Sequence, residues 1–212
     1  MHKNGSMPKE KRTSLEICIL AGGLSLRIGR DKTKLRLGRR TLLGHVRQMA
    51  RELGRHVRVI RRDVVPRCGP LGGVYTALAT TRADAVLFLS CDMPFVPARL
   101  LRRISVSMRK GQTAVFTTQR ERVGFPFAIR AEALSAVREL LAERQFSLQN
   151  LARILQPELI HWPATRSLEL FNINLPADWQ QARELWKART SSGRKREHGG
   201  RTAQRTSSRV QC

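Results

Sequence analysis

Residues 15–20, LEICIL, form an apolar run that breaks at once into Ala21-Gly22-Gly23. Six such residues suit a buried strand of a parallel sheet. Two glycines let the chain turn sharply and remove the Cβ atoms that would hold a ligand off the backbone. Exposed N–H groups in such a loop can cradle phosphate oxygens. Arg27 and Lys32 follow within reach of the same anion, Arg as a planar fork of donors and Lys as a compact point charge. No GKS or GKT follows the glycines, and the spacing is not GxGxxG, so neither of those phosphate loops is present. Taken alone, the stretch also reads as a strand ending in a glycine turn with solvated basic residues. What it constrains is the fold, because a buried strand followed by a glycine turn belongs to an α/β sheet.

The pattern recurs along the chain. His56 to Ile60 alternates into a strand, followed by 63–73, a stretch too rich in Gly and Pro to be regular, and then by a helix from Val74 to Thr80. Residues 85–90, AVLFLS, are the clearest buried strand and end at Cys91-Asp92-Met93-Pro94-Phe95. Between the first strand and His56, Thr41 caps a helix with Leu42, Val46, Met49, Ala50 and Leu53 at helical spacing, ended by Gly54. Pro97 starts another helix, with Leu100, Leu101 and Ile104 inward. Alternating strands and helices predict a mainly parallel sheet. Ligands of such sheets sit outside the carboxyl ends of the strands. The loops 21–32, 63–73 and 91–95 all follow strands, so all three are expected to converge on one edge.

The second half is less regular. Strands are expected over 113–118 and 124–129, joined by a charged turn at 119–122, and over 158–162. Helices are expected over 131–141, after Ser147 as far as Leu155, and over 177–188 behind Pro176. Asn172 and Asn174 lie in an extended segment and are expected to face opposite sides, one toward a site and one supporting the loop. Pro126 reads equally as an edge-strand proline.

The chain of 212 residues suits one domain, expected over 14–188, between a basic N-terminus at 1–13 and a basic tail at 189–212, both expected to be disordered. Net charge is +24, of which residues 187–212 supply +7 and residues 1–13 supply +3, leaving +14 on the body. A basic body suits a polyanionic ligand such as a nucleotide. Phe, Tyr and Trp make up 5% of the chain, thin for stacking single-stranded bases, so nucleic acid is not the expected partner. Cys18, Cys68, Cys91 and Cys212 form no CxxC pair. No apolar run is long enough to span a membrane and no signal peptide is evident, so a cytoplasmic protein without a membrane partner is expected.

Four blocks, in order, carry a resemblance: LAGGLSLRIGRDK at 20–32, GPLGG at 69–73, LSCDMPF at 89–95 and FNINLPADW at 171–179. Together they resemble the molybdenum cofactor guanylyltransferase (MobA) family over about residues 15–187. The resemblance implies a three-layer, Rossmann-like nucleotidyltransferase fold. It also implies transfer of GMP from Mg-GTP to molybdopterin, with release of pyrophosphate. Leu20, Ala21, Gly22 and Gly23 would hold the nucleoside and phosphates. Arg27 and Lys32 would neutralise the phosphates, and Asp92 would bind Mg²⁺. Asp63 aligns with the family's acidic residue near guanine, Asn174 with an acceptor-side asparagine and Pro126 with a substrate-side loop. Molybdoenzymes or other cofactor-biosynthesis proteins would be its partners.

One departure stands out. The family usually has two strands between the first helix and GPLGG, with an Asn after the earlier one that helps recognise guanine. Here only one strand fits, and the region is shorter by about one strand and its connection. A nucleotidyltransferase of other base or acceptor specificity, and a non-catalytic nucleotide-binding protein, are therefore the competing readings.

Overall fold

The computed structural model describes residues 13–22 and 34–202, with side chains as far as Thr190. Of the expected site, Gly23, Arg27 and Lys32 lie outside the described residues. The elements are β1 (Leu15–Leu20), β2 (Arg36–Leu37), β3 (Arg40–Thr41), α1 (Leu42–Arg51), β4 (Val57–Ile60), α2 (Gly69–Thr80), β5 (Ala85–Ser90) and α3 (Ala98–Arg109). They continue with β6 (Ala114–Gln119), β7 (Arg122–Arg130), α4 (Leu134–Ala142), α5 (Leu148–Leu155), β8 (Glu158–His161) and α6 (Pro176–Thr202).

Six strands form one sheet in the order β4-β1-β5-β7-β6-β8. All run the same way except β7, which is antiparallel to both β5 and β6. Alternation along each strand feeds two cores. Ile17, Ile19 and Leu87 face α1 and α3, with Val46, Leu101 and Ile104 among their neighbours. Cys18, Val86 and Phe88 face the opposite layer of α2, α4 and α5. Across the second face Phe88, Phe127 and Phe116 stack from β5 through β7 to β6, with centroids 5.0 and 4.6 Å apart. This is the three-layer α/β architecture expected.

One strand, β4, lies between α1 and α2, and among the described residues the sheet ends there. That short edge is guarded by charge. The Arg58 guanidinium donates to Glu16 Oε2 at 2.9 Å and to the Ala77 carbonyl at 2.8 Å. A charged residue on a short edge strand resists pairing with another chain.

Four expectations need correction. GPLGG is the start of α2 and not a loop, with Pro70 in the first turn, where its missing N–H costs nothing. Pro126 lies in an internal strand, at a register shift opposite Phe116 and Thr117, which is the other place a sheet admits proline. The last helix runs on past Ala188 to Thr202. Asn172 and Asn174 do not divide between two sides: both are exposed around the buried Ile173. In extended chain, residues two apart share a side.

Candidate active site

Three backbone contacts gather the loops at the carboxyl edge. Cys91 N–H donates to the Leu20 carbonyl at 3.1 Å, and Ala21 N–H donates to the Ile60 carbonyl at 2.7 Å. The end of β1 and the residue after it are thereby fixed between the ends of β4 and β5. Ile173 N–H donates to the Asp92 carbonyl at 3.0 Å, which lays the 171–175 segment on the turn after β5. Asn174, far from Asp92 in sequence, is thus a near neighbour of it in space.

Asp92 is half-buried, and the Ser90 hydroxyl donates to its Oδ1 at 2.5 Å. Asn174 is held by the helix that follows. Asp178 Oδ2 accepts from the backbone N–H of both Asn174 and Leu175, each at 2.8 Å. A carboxylate at the third helical position caps the amides before it and suits the positive end of the helix dipole. The sequence reading passed over Ser90 and Asp178, although an acid two residues beyond Pro176 is a legible capping signal.

The glycines surround one carboxylate. A Cβ on Gly22 would lie 3.3 Å from Asp63 Oδ1, one on Gly73 also 3.3 Å from Oδ1, and one on Gly72 3.1 Å from Oδ2. The Gly72 position is tighter still, 2.7 Å from the Val65 carbonyl oxygen. The loop after β4 is tied to α2 as well, since Thr76 Oγ1 accepts from Val64 N–H at 2.9 Å and donates to the Gly72 carbonyl at 2.8 Å. Glycine at 22, 72 and 73 therefore lets the loop after β1 and the first turns of α2 close around Asp63. Burial pushes the Asp63 carboxyl above its ordinary value of 3.8. Burial is also the main cause that pushes the Cys18 thiol up to about 12, with Arg58 opposing it and Glu16 adding to it. Cys18 therefore stays a protonated core residue.

The structure thus brings Leu20, Ala21, Gly22, Asp63, Asp92 and Asn174 to the carboxyl edge. The Ala21 N–H is committed to the Ile60 carbonyl. Phe125 and Pro126 join the same edge, because β7 runs antiparallel to β5 and Phe127 pairs with Phe88. Thr117 Oγ1 donates to the Pro126 carbonyl at 2.6 Å. Among the described residues no three His, Cys, Asp or Glu side chains form a metal cage. A cation held by a single carboxylate and completed by a ligand's phosphates fits this edge. No helix of the described residues is long and apolar enough to cross a membrane.

Comparisons with known proteins agree with this fold. Residues 17–161 match the family model of the MobA-like NTP transferase domain. A molybdenum cofactor guanylyltransferase from Xanthomonas euvesicatoria is 31% identical over 77% of this chain and 91% of its own length. A molybdopterin-guanine dinucleotide biosynthesis protein A from Archaeoglobus fulgidus shares the fold, with a TM-score of 0.62 at 18% identity over 82% of this chain and 99% of its own. A Mycobacterium tuberculosis protein solved in complex with manganese superposes with a TM-score of 0.57 at 18% identity, over 81% of this chain and 99% of its own. The chain belongs to the MobA-like NTP transferase family and is a nucleotidyltransferase.

Proposed function

We propose that this enzyme is a molybdenum cofactor guanylyltransferase of the cytoplasm, moving GMP from GTP to molybdopterin with Mg²⁺ as its metal. The observation that carries the reading is the Ile173–Asp92 hydrogen bond. It sets Asn174, the residue that the resemblance puts on the acceptor side, next to Asp92 in a chain of this family. In the reaction, an acceptor phosphate oxygen attacks the α-phosphorus, the bond to the α–β bridging oxygen breaks, and pyrophosphate leaves. Little covalent help is needed from protein; in-line placement and neutralisation of charge carry the rate. Gly22 and Gly23 bring backbone close to the phosphates. Arg27 and Lys32 meet their negative charge, and the carboxylate of Asp63 accepts from the base. Asn174 orients the acceptor. Asp92, fixed by Ser90, is the residue that would hold the cation. When bound, Mg²⁺ supplies charge balance at the phosphates under attack.

Asp92→Asn keeps the shape and removes the charge. With labelled GTP, Mg²⁺ and molybdopterin, the variant should melt like the wild type. Its pyrophosphate release should fall about a hundredfold or more, as loss of a transition-state electrostatic contact does. Added Mg²⁺ should restore little. A near-normal rate would remove Asp92 from the mechanism.

A further inference from the structure

Besides the two cores on the sheet faces there is a third, formed by Leu37, Leu42, Phe95, Ile173 and Ala182, with Trp179, Leu185 and Trp186 packed against it. Its members include residues of three segments that border the site. Leu37 belongs to the β2–β3 hairpin, where the chain emerges from the glycine-rich loop. Phe95 lies in the turn that carries Asp92, and Ile173 is the residue bonded to Asp92. Ala182, Leu185 and Trp186 belong to α6, beyond the residues matched to the family domain.

The hairpin has only two residues in each strand, too few to stand alone. Its hold is tertiary. His45, buried on α1, places Nε2 2.7 Å from the Leu37 carbonyl oxygen. A carbonyl only accepts, so Nε2 carries the hydrogen. The Trp186 indole lies against that imidazole, with centroids 4.5 Å apart. Trp186 also covers the hairpin's turn. Gly38 there has φ +62°, and a Cβ on it would lie 2.6 Å from Trp186 Nε1. Farther along α6, the Arg189 guanidinium sits 5.1 Å from the centre of the Phe95 ring.

We infer that Trp186, acting through His45 and the β2–β3 hairpin, is a positioning residue for nucleotide binding. It fixes the exit of the glycine-rich loop against the Asp92 turn, so that residues on the two sides of the nucleotide keep their spacing. The inference rests on the proposed site for its affinity readout, and on the fold alone for its exchange readout. A wild-type chain that binds no GTP contradicts the proposed function and leaves the exchange readout to decide the inference.

The test uses the full chain carrying Trp186→Ala, and Trp186→Phe in case the alanine variant does not fold. Amide hydrogen exchange is followed over residues 34–41, and Kd for GTP in Mg²⁺ is measured by calorimetry. In Trp186→Ala the hairpin amides should exchange faster while those of β1 and β5 keep their protection. Kd should rise about ten- to a hundredfold, the scale on which small misplacements act. Trp186→Phe should fall between. Gly38→Ala should mimic the loss, and its effect should add only in part to that of Trp186→Ala, because the two residues share one contact while the strain of alanine at φ +62° remains. His45→Gln, which still offers a donor to the Leu37 carbonyl, should bind GTP better than His45→Leu. Unchanged exchange at the hairpin, or an unchanged Kd beside faster exchange, would overturn the inference.

Discussion

Asp63 shows how a residue's surroundings set its chemistry. Three glycines close around its carboxylate, and burial raises its pKa above the ordinary 3.8. A raised pKa means the folded chain holds this proton more tightly than the unfolded chain does. The stability it contributes is therefore complete below the ordinary Asp range and is lost as pH rises through the raised value. Asp63→Asn removes that titration. Without nucleotide, melting temperatures of the two proteins should lie close together at acid pH, and the Asn variant should pull ahead once Asp63 ionises. A gap that narrows with rising pH would contradict the buried carboxylate. The role proposed for Asp63 predicts weaker GTP binding by the same variant, since the carboxylate acceptor becomes a mixed amide. Cys18 makes the complementary point, for a thiol held near 12 in the core has no thiolate to offer at working pH.

At the scale of elements, the sheet was legible where its period is written into the chain. The runs at 15–20, 85–90 and 114–119 are rich in apolar and β-branched residues without Gly or Pro, and all three form strands. GPLGG misled because Gly and Pro speak for irregular backbone, whereas their place here is set by what α2 must pass. Gly72→Ala measures that constraint directly. Its Cβ would meet the Val65 carbonyl at 2.7 Å, and a backbone oxygen cannot swing aside as a long side chain can. The variant should lose about 1–3 kcal/mol on thermal or urea unfolding, the ordinary cost of an overpacked site. Gly124→Ala, with nothing within 4 Å of the new methyl, is the control and should change little. The β2–β3 hairpin was invisible because two-residue strands carry no period. The asparagines at 172 and 174 share a side, as the period of extended chain requires. Ile173 between them carries the apolar signal that could have shown this.

Across the whole molecule, the site is assembled from distant parts of the chain. The residues matched to the family domain end at 161, yet the segment carrying Asn174 and the helix α6 behind it pack onto the Asp92 turn. The sequence blocks were legible because each is a continuous string of residues that carries the family resemblance. The third core that holds them in place was not, because it is built from single apolar residues out of five separate segments. Among the described residues the sheet ends at β4, with one strand between α1 and α2 where the resemblance leads to the expectation of two. Base choice therefore tests both the shortened edge and the chemistry. The most direct measurement is pyrophosphate release by the full chain with molybdopterin and Mg²⁺, run in parallel on GTP, ATP, CTP and UTP. The account predicts turnover with GTP, little with the other three, and a guanylated pterin as product. Release with another base at a comparable rate, or a folded protein that binds GTP and releases nothing, would contradict it.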